Sequence, residues 1–294
     1  MADPKILCIG DIMLDVTVLL NRPIIEGLET RAEISTQGGG AAANVASWLS
    51  YNKTPTYLVA RVGDDSAGQT LLSELDACGV EHSNSTVPNT STGVVVVIVG
   101  VDGERTMFPD SGANSGLGVK DLPDLSKFSA VYLSAYSLIN PESRAGVLEI
   151  ITEIKRAGLP IILDPATVGV LMEVGVAAAS EWLNFVDAII LNEEESHFLT
   201  GRDNPIEAAA ELLKKVKTVV IKRGSNGALG QNRDGQLIQV EAHPATVINT
   251  TGAGDAFAAG FISVWMNNGV LLDALDSGTQ LAAKCVALVG ARPS

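Results

Sequence analysis

Short apolar runs without polar alternation recur along this chain, and segments with helical periodicity lie between them. Runs of this kind are typical of strands that are buried on both faces of a parallel sheet. The runs cover residues 6–9, 57–60, 130–133, 160–163, 188–191 and 219–221. Because strand and helix patterns alternate, we predict an α/β fold with a mostly parallel central sheet and helices on both of its faces.

The segments between these runs carry helix start and stop signals. The helical patterns cover residues 40–51, 66–77, 141–157 and 205–215. Asn140 and Asn204 each precede a proline, which is the arrangement of an N-terminal cap followed by proline at the first helical position. Asn52 stands where a left-handed C-terminal cap would end the first of these helices.

Two segments in the N-terminal part of the chain interrupt this alternation. Residues 14–37 are rich in β-forming side chains and show no helical pattern, and residues 92–108 read as a hairpin around the turn Asp102-Gly103. We infer that the two segments pair into a small separate sheet that covers a site as a lid. The alternative is that they are edge strands that extend the main sheet.

Composition narrows the class of protein. Of the 294 residues, 46% are hydrophobic and 18% are charged, which is typical of a globular protein. We find no internal repeat and no low-complexity linker, and we predict a single domain over residues 1–294. The net charge of −14 argues against a nucleic-acid partner, because nucleic acid is a polyanion.

Apolar run lengths and cysteine spacing indicate the compartment in which the protein works. No apolar run reaches the roughly 18 residues of a membrane span, and the N-terminal residues do not resemble a signal peptide. The three cysteines, Cys8, Cys78 and Cys285, are widely separated and share no metal-ligand spacing. We therefore expect a cytoplasmic protein with no disulfide framework and no membrane partner.

The run NTTGAGDAF, residues 249–257, is the most informative part of the chain for function. Helical periodicity follows it, so the small residues Gly252, Ala253 and Gly254 are expected at a helix N-terminus. Backbone N–H groups are unpaired there and the helix dipole is positive, so the turn can bind an anion. Asp255 could then accept a proton from an attacking hydroxyl, which is the task of a general base in phosphoryl transfer. The alternative is that Asp255 is only a first-turn carboxylate favoured by the dipole.

Together with six further segments, this run closely resembles the sequence signatures of the ribokinase-like (PfkB) carbohydrate kinase family. The segments are GDIMLD from Gly10, GGGAAANVA from Gly38, RVGDDSAG from Arg61, GAN from Gly112, NEEE from Asn192 and KRGSNG from Lys222. Their order is that of the family, and the resemblance covers nearly the whole chain. It implies a three-layer α/β/α sandwich with a mostly parallel central sheet and a small β-sheet lid.

The resemblance also implies a reaction. The protein would transfer the γ-phosphoryl group of ATP to a hydroxyl of a sugar or sugar-like substrate. Asp255 would be the catalytic base, because family members use the matching aspartate to activate the acceptor hydroxyl. Gly252, Ala253 and Gly254 would form the anion hole for the transferring group.

On the nucleotide side, the resemblance implies roles for two motifs. Asn192 and Glu195 would organise Mg²⁺ near the phosphates, with Glu195 acting through water. Lys222, Gly224 and Gly227 would line the nucleotide site. Without the resemblance, Glu195 reads as a solvated first-turn glutamate, and the glycines read as an ordinary hairpin turn.

On the substrate side, the resemblance implies that Asp15 accepts hydrogen bonds from two sugar hydroxyls, which a carboxylate does well. Gly39, Gly40 and Asn44 would bring backbone and amide groups to the same ligand. A competing interpretation of Asn44 is a polar core residue whose hydrogen bonds are satisfied within the protein.

Departures from the family's pattern bear on cations and on the acceptor. Asn249 stands where relatives have an aspartate that helps to bind an activating monovalent cation, so activation by such a cation stays open. Ala41 replaces a lysine of ribokinase, Met13 replaces a polar sugar contact, and residues 134–136 lack the glutamate that ribokinase places near its sugar. We expect a pocket that is less polar than a ribose site. Arg105, otherwise a solvated hairpin charge, is the main candidate for holding a substrate phosphate.

Three hypotheses for the function stay open at this point. The first is a sugar kinase that uses ATP and Mg²⁺. The second is a nucleoside kinase whose base stacks on the apolar wall that Met13 suggests, and the third is a catalytically silent sugar-binding protein. In relatives, small sheets of this kind often pair across a dimer, so we expect a homodimer formed through the lid.

Overall fold

A computed structural model of the chain describes residues 4–83 and 85–293. It contains fifteen strands within these ranges, most of them short. They are β1 Ile6–Ile9, β2 Met13–Leu20, β3 Ala32–Gly39, β4 Thr56–Val59, β5 Val62–Gly63, β6 Glu81–His82, β7 Thr86–Val87, β8 Val94–Val99, β9 Arg105–Asp110, β10 Ala130–Ser134, β11 Ile161–Asp164, β12 Ala188–Asn192, β13 Thr218–Lys222, β14 Ala228–Asn232 and β15 Ile238–Val240.

Nine strands form the central sheet, in the order β15-β14-β13-β12-β11-β10-β1-β4-β6. From β13 to β6, every pair of neighbouring strands is parallel. Beyond β13, the strands β14 and β15 continue the sheet with antiparallel pairing. All six apolar runs of the sequence are strands of this sheet, and they are neighbours at its centre. The prediction of a mostly parallel sheet is therefore confirmed.

Helices cover both faces of the central sheet. Their bounds are α1 Ala41–Tyr51, α2 Ser66–Ala77, α3 Tyr136–Ile139, α4 Pro141–Arg156, α5 Val168–Trp182, α6 Glu193–Thr200, α7 Pro205–Leu212, α8 Ala253–Asn268 and α9 Leu271–Val286. Alternate strand residues point to opposite faces, so Ile6 and Cys8 pack with α1, α2, α8 and α9, whereas Leu7 and Ile9 pack with α3 to α7. Two buried cores result, one on each side of the sheet.

The predicted N-terminal caps are confirmed, and Asn52 is the C-terminal cap of α1, but the left-handed conformation predicted for Asn52 is wrong. Asn140 and Asn204 accept hydrogen bonds from the N–H groups two residues further on. Asn52 has φ −81°, and the left-handed residue is Lys53, with φ 63°. The reason is tertiary, since the Asn52 amide donates to Ser263 Oγ on α8 at 2.7 Å. The helix predicted through Lys215 ends at Leu212, and tighter turns follow it.

The two segments that interrupt the alternation form a separate four-stranded sheet, in the order β3-β2-β8-β9. The alternative of edge strands on the main sheet is thus wrong. The register of this sheet places Asp15 opposite Gln37 and Val95, on the face that also carries Arg105. The chain passes from β1 to β2 in a few residues, so this sheet begins at the carboxyl edge of the main sheet.

The other face of the small sheet is apolar. Val18 lies between Ile34 and Ile98, and in the adjacent row Val96 lies opposite Phe108. Ile34 is 67% exposed and Phe108 is 56% exposed.

Among the helices in residues 4–83 and 85–293, none is both long enough and apolar enough to cross a membrane.

Candidate active site

The candidate site is built around the N-terminus of α8. Gly252 has φ 80°, a left-handed conformation that favours glycine, and any Cβ there would lie 2.6 Å from the backbone of Ala291. Within residues 4–83 and 85–293, no acceptor binds the N–H groups of Gly254 or Asp255. These donors and the positive end of the helix dipole form the predicted anion-binding turn.

Asp255 lies in the first turn of α8, where its carboxylate meets a second helix. Asn44 Nδ2 of α1 donates a hydrogen bond to Asp255 Oδ2 at 2.8 Å. Burial raises the pKa of Asp255 to about 7, and the hydrogen bond from Asn44 opposes this rise. The carboxylate of Asp164 raises the pKa further, whereas the amino group of Lys222 lowers it. A pKa near neutrality suits a general base.

Lys222, at the end of β13, places its amino group beside the anion-binding turn. Its Nζ lies 3.1 Å from Asp164 Oδ2 and 3.2 Å from the position that a Cβ on Gly254 would occupy. Burial disfavours the ammonium form, but the nearby carboxylates of Asp164 and Glu195 outweigh it and raise the pKa of Lys222. The amino group is therefore charged and is placed to contact a phosphate in the turn.

Asp164 was missed in the sequence analysis, although it shares a signal with other site residues. It directly follows the apolar residues of β11 and is 8% exposed. In a parallel sheet, side chains at the carboxyl ends of strands lie where ligands bind. That rule, applied to the run IILD, would have selected Asp164.

Asn192 and Glu195 form a capping box at the start of α6. The N–H and Nδ2 groups of Asn192 donate to the two carboxylate oxygens of Glu195 at 2.8 and 2.7 Å. Glu195 is 3% exposed, so its interpretation as a solvated glutamate is wrong. Burial raises its pKa to about 7, against the opposing charge of Lys222.

This donor set fits Mg²⁺ held through water rather than by direct ligation. Both oxygens of Glu195 already accept hydrogen bonds, and the described residues include no group of three or more metal-ligating side chains. Mg²⁺ usually keeps several waters and binds through one or two carboxylates together with substrate phosphates.

The turn after β13 contains two glycines, of which Gly224 has space for a side chain and Gly227 does not. Gly224 has φ 54°, and no atom lies within 4 Å of the position of a Cβ there. Gly227 has φ 79°, and a Cβ there would collide with the carbonyl oxygen of Val240. Arg223 pairs with Glu193 at 3.1 Å. The turn is thus a hairpin between β13 and β14, and its open side faces away from Val240.

On the acceptor side, Asp15 projects from β2 towards the junction of β3 and α1. A Cβ on Gly39 would collide with both carboxylate oxygens of Asp15, so a larger residue there would displace the Asp15 side chain. Gly40 has φ 93°, and a Cβ on it would lie 2.6 Å from the carbonyl oxygen of Asp11. Burial raises the pKa of Asp15 to about 6, and the charge of Arg292 opposes this rise.

Two arginines, Arg105 and Arg292, lie beside this part of the site, and only Arg105 was predicted from the sequence. Arg105 donates from Nη1 to Thr251 Oγ1 at 2.9 Å, so the small sheet reaches the segment that precedes the anion-binding turn. Its side chain is otherwise exposed, as expected of a charge on the hairpin. Arg292 contacts Asn44, Glu74 and the carbonyl of Gly39. A lone arginine in the C-terminal segment offered no pattern by which to find it.

Two residues that depart from the family's pattern have structural contacts. Asn249 Oδ1 accepts a hydrogen bond from the N–H of Thr251 at 2.8 Å, which shapes the turn before α8. Met13 is 5% exposed, and its sulfur contacts Asn114 Nδ2 at 3.4 Å. Its packing against Asn114 makes Met13 part of the core beneath the small sheet.

Comparisons with known proteins show the family to which the chain belongs. The model of the pfkB family carbohydrate kinases matches residues 3–294. A ribokinase of Arabidopsis thaliana is 30% identical over 99% of this chain and 78% of its own length. A fructokinase of Klebsiella pneumoniae is 30% identical over 85% of this chain and 84% of its own length.

Solved structures agree with the sequence matches. The structure of Arabidopsis thaliana ribokinase complexed with ribose and ATP has a TM-score of 0.84 at 29% identity and covers 99% of this chain and 95% of that one. A putative ribokinase II from E. coli in complex with ATP and Mg²⁺ has a TM-score of 0.85 at 23% identity, with coverage of 98% and 94%. The predicted ribokinase-like fold is confirmed.

The close approach of Asp15 to Gly39 predicts that a larger residue at position 39 will weaken use of the acceptor. Gly39→Ala places a methyl group against the carboxylate of Asp15, so kcat/KM for the acceptor should fall roughly 10- to 100-fold. The KM for ATP should not change. Steady-state kinetics with each substrate varied in turn measures both effects. Gly118→Ala is the control, since a Cβ there meets nothing closer than 3.9 Å, and an equal loss in both variants would contradict the prediction.

Proposed function

This chain belongs to the pfkB family of carbohydrate kinases and is an ATP-dependent sugar kinase, and from that premise we propose how its residues divide the reaction. Asp255 is the general base, the turn Gly252, Ala253 and Gly254 is the anion hole, and Asp15 holds the acceptor. The observation that carries this proposal is the placement of Asp255 directly after unpaired backbone donors.

The proton transfer follows from the contacts of Asp255. Asn44 occupies Oδ2 of the carboxylate, so Oδ1 is the oxygen free to accept a proton from the acceptor hydroxyl. The hydroxyl oxygen then forms a bond to the γ-phosphorus of ATP, and the bond from that phosphorus to the bridging oxygen of ADP breaks. The N–H groups of Gly254 and Asp255 and the ammonium of Lys222 stabilise negative charge on the transferring group.

We propose ATP as donor and Mg²⁺ as its metal for this chain. Glu195 and Asn192 would hold waters of the ion, and Gly224 lies on the open side of the turn that would bind the nucleotide. When bound, Mg²⁺ supplies charge neutralisation on the phosphates. The neutral side chain of Asn249 supplies no charge for a monovalent cation.

We propose that the acceptor is an uncharged sugar rather than a sugar phosphate. Asp15 and Asp11 place negative charge on this side of the site. The charge of Arg292 acts on Asp15, but each of its three guanidinium nitrogens already donates to a protein acceptor. A substrate phosphate near Asp15 would therefore meet carboxylates, and Arg105, which donates to Thr251 Oγ1, would be the cation left to hold it.

The base assignment predicts a large loss of turnover in Asp255→Asn. An amide cannot take the hydroxyl proton, so kcat should fall roughly 10²- to 10⁴-fold with the fold intact by circular dichroism. In the native enzyme the base works only when deprotonated, so kcat/KM should decline as the pH falls through about 7. Asp273→Asn is the matched control, because Asp273 is also a first-turn carboxylate, on α9. Similar turnover in the two variants would remove the base assignment.

The choice of acceptor can be tested directly. We predict ADP release with one or more free sugars, and none with sugar phosphates or nucleosides, in a panel assayed at equal concentration. The relatives include both a ribokinase and a fructokinase at 30% identity, so identity alone does not name the sugar. Turnover restricted to nucleosides or to sugar phosphates would refute the proposed acceptor and leave the base assignment standing.

We further propose that the small sheet is a lid and that its apolar outer face pairs with the same face of a second copy. Arg105 already links this sheet to Thr251, and the opposite face exposes Ile34 and Phe108 in register with further apolar side chains. Contiguous apolar patches of this kind commonly mark interaction sites.

Light scattering tests the pairing. The native chain should have the mass of a dimer, and Ile34→Glu should have the mass of a monomer, because a carboxylate on the paired face would be buried without a partner. Ile24→Glu is the control, since Ile24 is 58% exposed but lies outside the four strands. A monomeric native chain would contradict the dimer.

We propose a cytoplasmic location on the basis of the cysteines. Cys8, Cys78 and Cys285 are all free thiols, and Cys8 and Cys285 are buried in the core. Free thiols and the proposed use of ATP fit a reducing compartment that contains nucleotides.

A further inference from the structure

Arg292, in the C-terminal segment, has its guanidinium group held by three different acceptors. Nε donates to Asn44 Oδ1 at 3.2 Å, Nη1 donates to Glu74 Oε2 at 3.2 Å, and Nη2 donates to the carbonyl of Gly39 at 2.6 Å. The side chain is 9% exposed. Because guanidinium is a rigid planar fork, three separate acceptors fix both its position and its orientation.

The segment that carries Arg292 is itself anchored beside the base. Trp48 Nε1 donates to the carbonyl of Ala291 at 2.8 Å, and the backbone of Ala291 lies against Gly252. Trp48 is on α1, the helix of Asn44, whereas Gly252 precedes α8, the helix of Asp255. The C-terminal segment therefore contacts both α1 and the start of α8, the two helices whose side chains meet at Asp255.

The contacts of Asn44 determine which of its two amide atoms faces the base. Its oxygen accepts from Arg292, and its nitrogen donates to Asp255. A rotation of the amide by half a turn would place the oxygen against a carboxylate and the NH₂ group against a guanidinium, and both contacts would be repulsive. Arg292 thus selects the amide orientation that stabilises the ionised base.

We propose that Arg292 is a positioning residue for catalysis, which fixes the amide of Asn44 and through it keeps a hydrogen-bond donor on the carboxylate of Asp255. The inference rests on the proposed role of Asp255 as the base. It gives the C-terminal segment a part in the chemistry through the amide of Asn44.

Other charged and titratable groups also face Asp255, and they belong to elements that an Arg292 substitution leaves in place. They are Asp11 after β1, Tyr132 on β10, Tyr136 on α3, Asp164 on β11, Lys222 on β13 and Cys285 on α9. The positive charge of Arg292 also acts on Asp255 directly. Arg292→Lys separates the two effects, because it keeps the charge but cannot match three separate acceptors.

The test is the pH dependence of kcat/KM in the intact enzyme. In Arg292→Lys and Arg292→Met, the acid limb should move to higher pH by about 0.5 to 1 unit, because the carboxylate loses its fixed donor. At pH values below the limb, this shift lowers kcat/KM by about threefold to tenfold. Glu74→Gln is the matched control, since it removes the ion pair of Arg292 and leaves the contact with Asn44 in place. It should lower the melting temperature without moving the limb.

Asn44→Ala provides a second route if Arg292→Met does not fold. It should move the limb in the same direction, and adding Arg292→Lys to it should cause no further movement. An unmoved limb in folded Arg292→Lys overturns the inference, as does an additional shift in the double variant. If Asp255→Asn is inactive while the limb stays in place, only the positioning role fails. A fully active Asp255→Asn enzyme would overturn the base assignment and this inference together.

Discussion

The burial of one carboxylate, Asp255, at the N-terminus of α8 is the constraint around which the site is organised. A buried carboxylate is unstable in its ionised form unless donors and positive charge compensate for the lost water. Here the compensation comes from the amide of Asn44 and the ammonium of Lys222. The balance leaves the pKa of Asp255 at about 7, so the carboxylate is ionised in an appreciable fraction at neutral pH and can still accept a proton readily.

The fold explains how these groups come together from distant parts of the sequence. The carboxyl ends of the parallel strands lie along one edge of the sheet, and Asp164, Asn192 and Lys222 are the last residues of three adjacent strands there. The small sheet begins at the same edge and brings Asp15 to the other end of the site. A phosphate donor and a sugar acceptor would thus meet where the central sheet, the small sheet and the start of α8 converge.

Patterns local in sequence predicted most of the fold and much of the site. The apolar runs identified the central strands, and the glycines before Asp255 identified the anion-binding turn, because each signal depends only on neighbouring residues. The end of α1 at Tyr51 was predicted correctly, but the left-handed conformation predicted for Asn52 is wrong, because Asn52 is held by Ser263, more than two hundred residues away. Arg292 could not be found for the same reason, since its partners Asn44 and Glu74 lie in the first third of the chain.

The most direct test of the account is a titration of the Asp255 carboxylate itself. Carbon-detected NMR of protein labelled at the aspartate carboxyl carbons, with Asp255→Asn to assign the resonance, would follow its protonation. The account predicts a midpoint near pH 7 in the free enzyme. A midpoint near 4, the ordinary value for an exposed aspartate, would contradict a buried base held by Asn44 and would show that the carboxylate is solvated.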